Sequence, residues 1–463
     1  MGRNHLRSTA LNLAMHPRLS FLLLSSLFVT HLSHAADWPR FRGPNGSGIA
    51  PDERPVPVEW SATKNLKWQT ALPGPGSSSP IVVGDRVFVT CWSGYATDGS
   101  ASGDIAALMR HLICIDRTSG KILWDRSVAA KQPEDQFGGM FAQNGYASHT
   151  PVSDGSKVFA FFGRSGVHAF DLDGKPLWQA DVGDWSDRKG WGSASSPILH
   201  GDVLIVPAVV EAQALFGFDK NTGKQVWKAP SEGFASTWGT PVIAKGENGD
   251  EVVISVPGEV WGFNPATGKL RWYATGLQSD SVCNSVVTDG STIFTMGERG
   301  GGSVAIKAGG KGDVSATHTL WTGANGSRIA TPVLWEGRLY WISSSLAVCR
   351  DAKTGAEIYN ERIESSTGGD TTVPGNQGGF GGGGFGGGRR GGGGDYSSPV
   401  VSNGHLYQVT RRGEVLVLKL GPKFELVARN RINGDTSDHS ATPAISNGQL
   451  FLRSAKTLYC IGE

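Results

Sequence analysis

Cys114-Ile115-Asp116-Arg117-Thr118-Ser119-Gly120-Lys121-Ile122-Leu123-Trp124 is a unit that the chain repeats, not a catalytic motif. It returns as Phe170-Asp171-Leu172-Asp173-Gly174-Lys175-Pro176-Leu177-Trp178, as Phe218-Asp219-Lys220-Asn221-Thr222-Gly223-Lys224-Gln225-Val226-Trp227 and as Phe263-Asn264-Pro265-Ala266-Thr267-Gly268-Lys269-Leu270-Arg271-Trp272. A weaker copy is Asp351-Ala352-Lys353-Thr354-Gly355-Ala356-Glu357-Ile358-Tyr359. In each copy Asp or Asn opens a tight turn through its side-chain oxygen, Gly supplies a positive φ, and the alternating residues that follow form a strand ending in an aromatic ring. One hairpin cannot bury an indole by itself. Stacked hairpins can, so the repeat predicts a solenoid or a propeller.

A second element counts the units. Ser79-Pro80, Thr150-Pro151, Ser196-Pro197, Thr240-Pro241, Thr331-Pro332, Ser398-Pro399 and Thr442-Pro443 each precede a short apolar strand, and Ser285-Val286 fills the one gap. The aromatic positions also reach eight: Trp68, Trp124, Trp178, Trp227, Trp272, Trp321, Tyr359 and a degenerate site near Leu426. Lys67 to Leu72 reads as the second half of a unit, and Thr457 to Ile461 as the missing first half. A chain that begins with the end of a unit and ends with its beginning closes a ring and leaves no sheet edge at the seam. The expected fold is all-β: an eight-bladed β-propeller of four-stranded blades, closed by pairing of the N- and C-terminal strands. It spans residues 67–463 behind an irregular, Pro- and Gly-broken lead-in, 36–66, that is expected to pack across the outside of the domain.

The first 35 residues carry Arg3, Arg7 and Arg18, then an apolar run from Leu19 to Val29, then Ser33-His34-Ala35. That is the pattern of a cleavable export signal, too short to span a membrane stably. Cleavage would take the 43 basic residues to 40 against 41 acidic ones. A near-neutral mature chain has no basic stripe for nucleic acid. The first cysteine is Cys91, so no lipid-anchoring cysteine follows the cleavage site; the expectation is a soluble, exported, monomeric protein and not a lipoprotein. Cys114, Cys349 and Cys460 take the place where other units have Ala169, Gly217 or Gly262, and so read as small buried residues. A disulfide among the five cysteines stays open for an exported chain.

The pattern Ala/Cys-x-Asp-x-x-Thr/Ser-Gly-Lys-x-x-Trp resembles the tryptophan-docking signature of the pyrroloquinoline quinone (PQQ) repeat propellers, over residues 68 to 461. The resemblance implies that Trp124, Trp178, Trp227 and Trp272 wedge between neighbouring blades. A wedged indole of ~200 Å² at about 25 cal/mol/Å² is worth roughly 5 kcal/mol before its entropy cost. The family includes quinoprotein alcohol dehydrogenases and a non-enzymatic lipoprotein that helps to assemble outer-membrane barrels. The fold therefore leaves the function open.

Loop lengths choose a face. Tight turns such as Asn403-Gly404 and Thr222-Gly223 lie on one face, while the insertions Trp92 to Arg110, Lys131 to Ala147 and Tyr359 to Pro399 fall on the other. Insertions on a rigid frame are where function concentrates. Taking the residues two and four before the proline of each of these Ser/Thr-Pro heads (Val286 in the one gap), alternation predicts a polar channel ring that includes His149, Ser195, Asn284, Arg328, Asp395 and His439, with Trp191 placed to stack on a flat ligand. Such a ring either binds a small polar or anionic ligand or a partner's loop, or is a solvated lining. Residues 368–395, with Phe380, Phe385 and Arg389-Arg390 among glycines, read as a disordered spacer. Asp171-Leu172-Asp173-Gly174 begins like a calcium loop but lacks its remaining ligands.

No catalytic residue or metal ligand set stands out. The favoured reading is an exported binding or scaffold module for a protein, a cell-envelope polymer or a small polar ligand, with Trp92, Trp185 and Trp191 as loop aromatics that suit a polysaccharide. The alternative is a PQQ- and calcium-dependent dehydrogenase of an alcohol or sugar, using Asn284 and Asp395. It would need a clamped cofactor, hard oxygen ligands and an Asp base.

Overall fold

Each repeat turn forms because its acid spends itself on the backbone behind it. Asp219 Oδ1 accepts from the N–H groups of Asn221 (3.0 Å) and Thr222 (2.8 Å) and from Thr222 Oγ1 (2.9 Å). Gly223, at φ 73°, then turns the chain into the outer strand. Asp171 does the same with the N–H groups of Asp173 and Lys175, so the calcium-like run is a repeat turn.

The computed structural model describes residues 1–2, 37–52, 54–297, 302–364, 396–432 and 434–463. The expected export signal, the glycine-rich segment 368–395 and Asp395 lie outside the described residues. Among the described residues the strands form eight sheets around one axis, seven of four strands and one of five. The innermost strands of blades 1 to 8 are Ile81–Val83, Val152–Ser153, Ile198–His200, Val242–Gly246, Val287–Thr288, Val333–Trp335, Val400–Ser402 and Ala444–Ser446. Blade 8 closes the ring: its outer strand is Leu66–Ala71, antiparallel to Thr457–Ile461, with Trp68 opposite Cys460. The fifth strand of blade 4 is Gly312–Asp313, which lies parallel to the outer strand Leu270–Thr275. Among the described residues no helix is long and apolar enough to cross a membrane.

The indoles hold neighbouring blades together by one recurring contact. Trp68, Trp124, Trp178, Trp227 and Trp321 donate Nε1–H to the carbonyls of Arg117, Leu172, Lys220, Pro265 and Ala352, each in the turn of the next blade, at 2.9 to 3.0 Å. The same rings lie on that turn's glycine, so a Cβ at Gly120, Gly174, Gly223, Gly268 or Gly355 would overlap an indole. Blade 5 lacks the turn. There Trp272 is fully buried and bonds Glu251 Oε2 within its own blade (2.7 Å), under the added strand. Tyr359 packs on Phe424. In blade 7 the equivalent position is Ala428, opposite Val417, and Trp60 from the lead-in packs in the same core beside Tyr407 (6.3 Å).

The cysteines behave as their place in the repeat implies. Cys114, Cys349 and Cys460 stand opposite Trp124, Tyr359 and Trp68, where Gly217 and Gly262 stand opposite Trp227 and Trp272. All five cysteines are among the described residues and no disulfide joins them. Burial pushes the thiols of Cys91, Cys114 and Cys460 up to about 12.

The first part of the lead-in, residues 38–49, does not lie on the outside of the domain. Trp38 pairs with Val82, the Pro39 carbonyl accepts from Ser153 N, Asn45 bonds the backbone of Ile243 through both amide atoms, and Ile49 pairs with Val401. This segment crosses the tight-turn end of the channel from blade 1 to blade 7. Arg40 and Arg42 are buried there, donating to the carbonyls of Pro241 (2.8 Å) and Pro332 (2.7 Å). Burial lowers both guanidinium pKa values to about 9, which leaves them charged at neutral pH. The segment fits because its polar atoms complete the unpaired backbone of the innermost strands.

Candidate functional site: a blind funnel on the axis

At the waist of the channel the eight heads bond in a closed circle. The backbone N–H of Ser79 donates to Thr150 Oγ1, that of Thr150 to Ser196 Oγ, and so on through Thr240, Ser285, Thr331, Ser398 and Thr442, whose N–H returns to Ser79 Oγ; all eight bonds are 2.9 to 3.1 Å. This is why Ser or Thr stands in every head, at Ser285 as at the others. The following proline fixes an extended approach and needs no donor at its own nitrogen.

The circle also corrects the phase of the channel lining. Residues one and three before the proline face the axis: the Ser and Thr of the heads themselves and, among the others, Ser77, Ser148, Trp238, Cys283, Tyr396 and Ser440. Alternation supplies a period of two but not which set faces inward, and a shift of one exchanges the faces. His149, Ser195, Asn284 and His439 are therefore buried behind the circle and are absent from the axial lining. Asn284 Nδ2 donates to the Ala330 carbonyl (2.8 Å), and His439 Nδ1 meets the Ser437 carbonyl (2.8 Å). His149 Nε2 meets Ser193 Oγ (2.8 Å), and burial, reinforced by Arg110, lowers its pKa to about 3.

Above the circle, on the insertion-bearing face, the channel opens into a cavity of about 610 Å³. Its walls come from the connections between blades and include Trp191 and Arg328 together with Lys189, Trp238, Asp280, Cys283 and Tyr396. Trp191 stacks on Trp238 at 4.8 Å, and Lys189 Nζ lies 5.2 Å from the Trp191 ring centroid while bonding the Asp280 carbonyl (3.0 Å). Tyr396 donates to Gln143 Oε1 (2.7 Å), and Arg411 sits 4.8 Å from the Tyr396 ring centroid. Burial raises the Tyr396 pKa, opposed by Arg411 and Arg328. Below, the cavity narrows into a tube of about 110 Å³ floored by Phe41 of the crossing segment. The two spaces share walls at Asn144, Ala194, Trp238, Cys283, Ile329 and Tyr396, so together they form one funnel closed at its base.

The insertions build the rim. Trp92, Tyr95, Phe137, Phe141 and Tyr146 form one aromatic cluster beneath both blade 1 insertions. Trp92 is thus buried and is no loop platform, whereas Trp185 is 57% exposed. Behind the rim, Arg110 pairs with Glu134 (2.5 Å) and Arg164 with Asp135 (2.7 Å). Next to them lies Glu211, whose carboxyl is pushed up to about 7 by burial. Lys189 and the buried Glu211 had no signal in the sequence, because the loops that carry them follow no repeat; Trp238 and Tyr396 stand at the repeated position three before the head proline and were missed through the phase alone.

Carboxylates are sparse here. The funnel mouth holds one described carboxylate, Asp280, and Lys189 engages it at 3.3 Å. A calcium ion takes six to eight oxygens, and no group of three or more His, Cys, Asp or Glu side chains that could hold a metal occurs among the described residues. Of the two residues expected to serve a calcium-bound quinone, Asn284 is buried away from the mouth and Asp395 lies outside the described residues.

The architecture defines an eight-bladed β-propeller with an axial funnel and a structured rim. By sequence, the chain belongs to the family described as outer membrane protein assembly factor BamB, whose model matches residues 108–358 and 163–421. No curated protein sequence matches it. Among solved structures it is similar to BamB from Moraxella catarrhalis (12% identity, TM-score 0.56, covering 86% of this chain and 99% of that one). It is similar also to a europium-containing methanol dehydrogenase (12%, 0.61, 92% and 98%) and to the computationally designed Ika8 protein (10%, 0.52, 85% and 98%). At these identities the likeness is one of fold alone.

Proposed function

We propose that the protein is an exported, non-enzymatic binding module that takes a small polar or anionic ligand in the mouth of its funnel. The observation that carries this is the cavity of about 610 Å³ in which Lys189, Arg328, Tyr396 and the edge of the Trp191–Trp238 stack converge. Concave spaces of this size with a few convergent polar groups are where small ligands bind. Export rests on the Arg-bearing start, the apolar run from Leu19 to Val29 and Ser33-His34-Ala35.

The test is calorimetric titration of the folded protein with PQQ, a flat anion, with and without calcium, alongside Trp191→Ala and Arg328→Gln. Calcium-independent binding that weakens about tenfold in either variant is the expected result. Calcium-dependent binding followed by oxidation of an alcohol with an artificial acceptor would replace this reading with the dehydrogenase. Absence of saturable binding would overturn the small-ligand reading and leave the rim as a surface for a protein or polymer.

A further inference from the structure

The circle of heads has an unused half. In each of its eight bonds the hydroxyl oxygen accepts, so the hydroxyl proton is still available to donate. Among the described residues none of these eight hydroxyls donates to a protein acceptor, although all eight line the tube. Eight O–H donors thus converge on one short stretch of the axis.

The charge beneath them has one sign. Arg40 and Arg42 donate to the carbonyls of Pro241 and Pro332, the residues directly after Thr240 and Thr331 of the circle. Arg40 Nε, Arg42 Nε and Arg42 Nη1 are buried with no hydrogen-bond partner, and neither guanidinium forms an ion pair with a described carboxylate. No described carboxylate lines the tube. Oxygen lone pairs alone would suit a cation as well as donors suit an anion. Two buried positive charges with no counter-charge among the described residues decide between them, because an interior of low dielectric amplifies their field. The tube of about 110 Å³ has room for roughly three or four waters at about 30 Å³ each, or for one tetrahedral oxyanion.

We propose that the hydroxyl circle, floored by Phe41, is a binding site for one small inorganic oxyanion of the sulfate and phosphate class, reached through the funnel mouth. The site lies deeper than the ligand cavity and does not depend on what that cavity holds. The anion would take hydrogen bonds from Ser and Thr hydroxyls and balance Arg40 and Arg42.

Titration of the folded protein with sodium sulfate, with sodium chloride at equal sodium as control, tests this. One equivalent of sulfate is expected to bind per chain, with no matching response to sodium. Thr331→Val, which removes one donor, should weaken it about tenfold. That change also strips the acceptor from Ser285 N–H, so Phe41→Asp is the decisive variant: a carboxylate on the floor occupies the site from within and should abolish binding. No sulfate heat from folded wild-type protein would mean that water satisfies the circle, and the proposal fails. Binding that tracks sodium, or that survives Phe41→Asp yet disappears in Lys189→Ala, would overturn it as well; the latter places the anion in the mouth.

Discussion

At Gly217 the backbone is ordinary, yet no side chain fits: an added Cβ would lie 2.2 Å from Trp227 Cε2. The repeat alternates here between what fills the space and what leaves it, so Gly217, Gly262, Ala169, Ala305 and the three cysteines are one position facing one ring. Overpacking a tight core costs about 1–3 kcal/mol. Gly217→Ala should lower the unfolding free energy by that amount, read as a lower denaturant midpoint with an unchanged slope. Cys114→Ala, which only empties a little space, should cost about 1 kcal/mol or less. The sequence exposed this position because the repeat sets small residues side by side in equivalent places. It did not expose Glu211 or Lys189, which belong to loops without a second copy to compare.

The lead-in is an element that repeat reading undervalued. Pro39, Pro44 and its glycines do mark irregular chain, and composition says nothing about where irregular chain goes. Its place is dictated by what the ring lacks: a floor, and an indole at Ala428. Trp38 is fully buried and Trp60 nearly so. Burial of large aromatics predicts that Trp60→Ala loses about 3–5 kcal/mol, close to the loss for a docking Trp inside the ring. Chemical denaturation of Trp60→Ala and Trp178→Ala side by side checks this; a Trp60 variant within 1 kcal/mol of wild type would show that the segment only lies against the blades. The candidate cavity was legible in outline, since it opens on the face that the insertions mark and Trp191 and Arg328 line its mouth. Which alternate residues face the axis was not, because the phase is set by the head-to-head bonds between units far apart in sequence.

For the whole molecule, two buried groups behind the rim oppose one another as pH changes. Glu211 has its carboxyl raised from about 4.5 to about 7, with Arg110 and Arg164 and the Ser193 hydroxyl working against burial. The folded state keeps a proton there that the unfolded chain releases, so its contribution to stability falls as pH rises from about 4.5 to 7, by roughly 3 kcal/mol. His149 runs the other way: it is neutral when folded down to about pH 3, so stability is lost as pH drops from 6.5 toward 3. Over the shared window the two slopes cancel in part. Glu211→Gln should therefore gain on wild type by about 3 kcal/mol between pH 4 and pH 8, measured as the difference of their unfolding free energies, and an unchanged difference would place the Glu211 ionisation elsewhere.

The seam of blade 8 makes the first strand and the last strand partners. Strand Leu66–Ala71 is synthesised early and has no sheet to join until Thr457–Ile461 exists. It must stay unpaired while seven blades form, although its Trp68 already has a socket waiting over Gly120. Ring closure is thus a final event that tests whether the whole chain has arrived: a product truncated before residue 457 keeps an open edge on both sides of the gap, in the form most prone to pair with another chain.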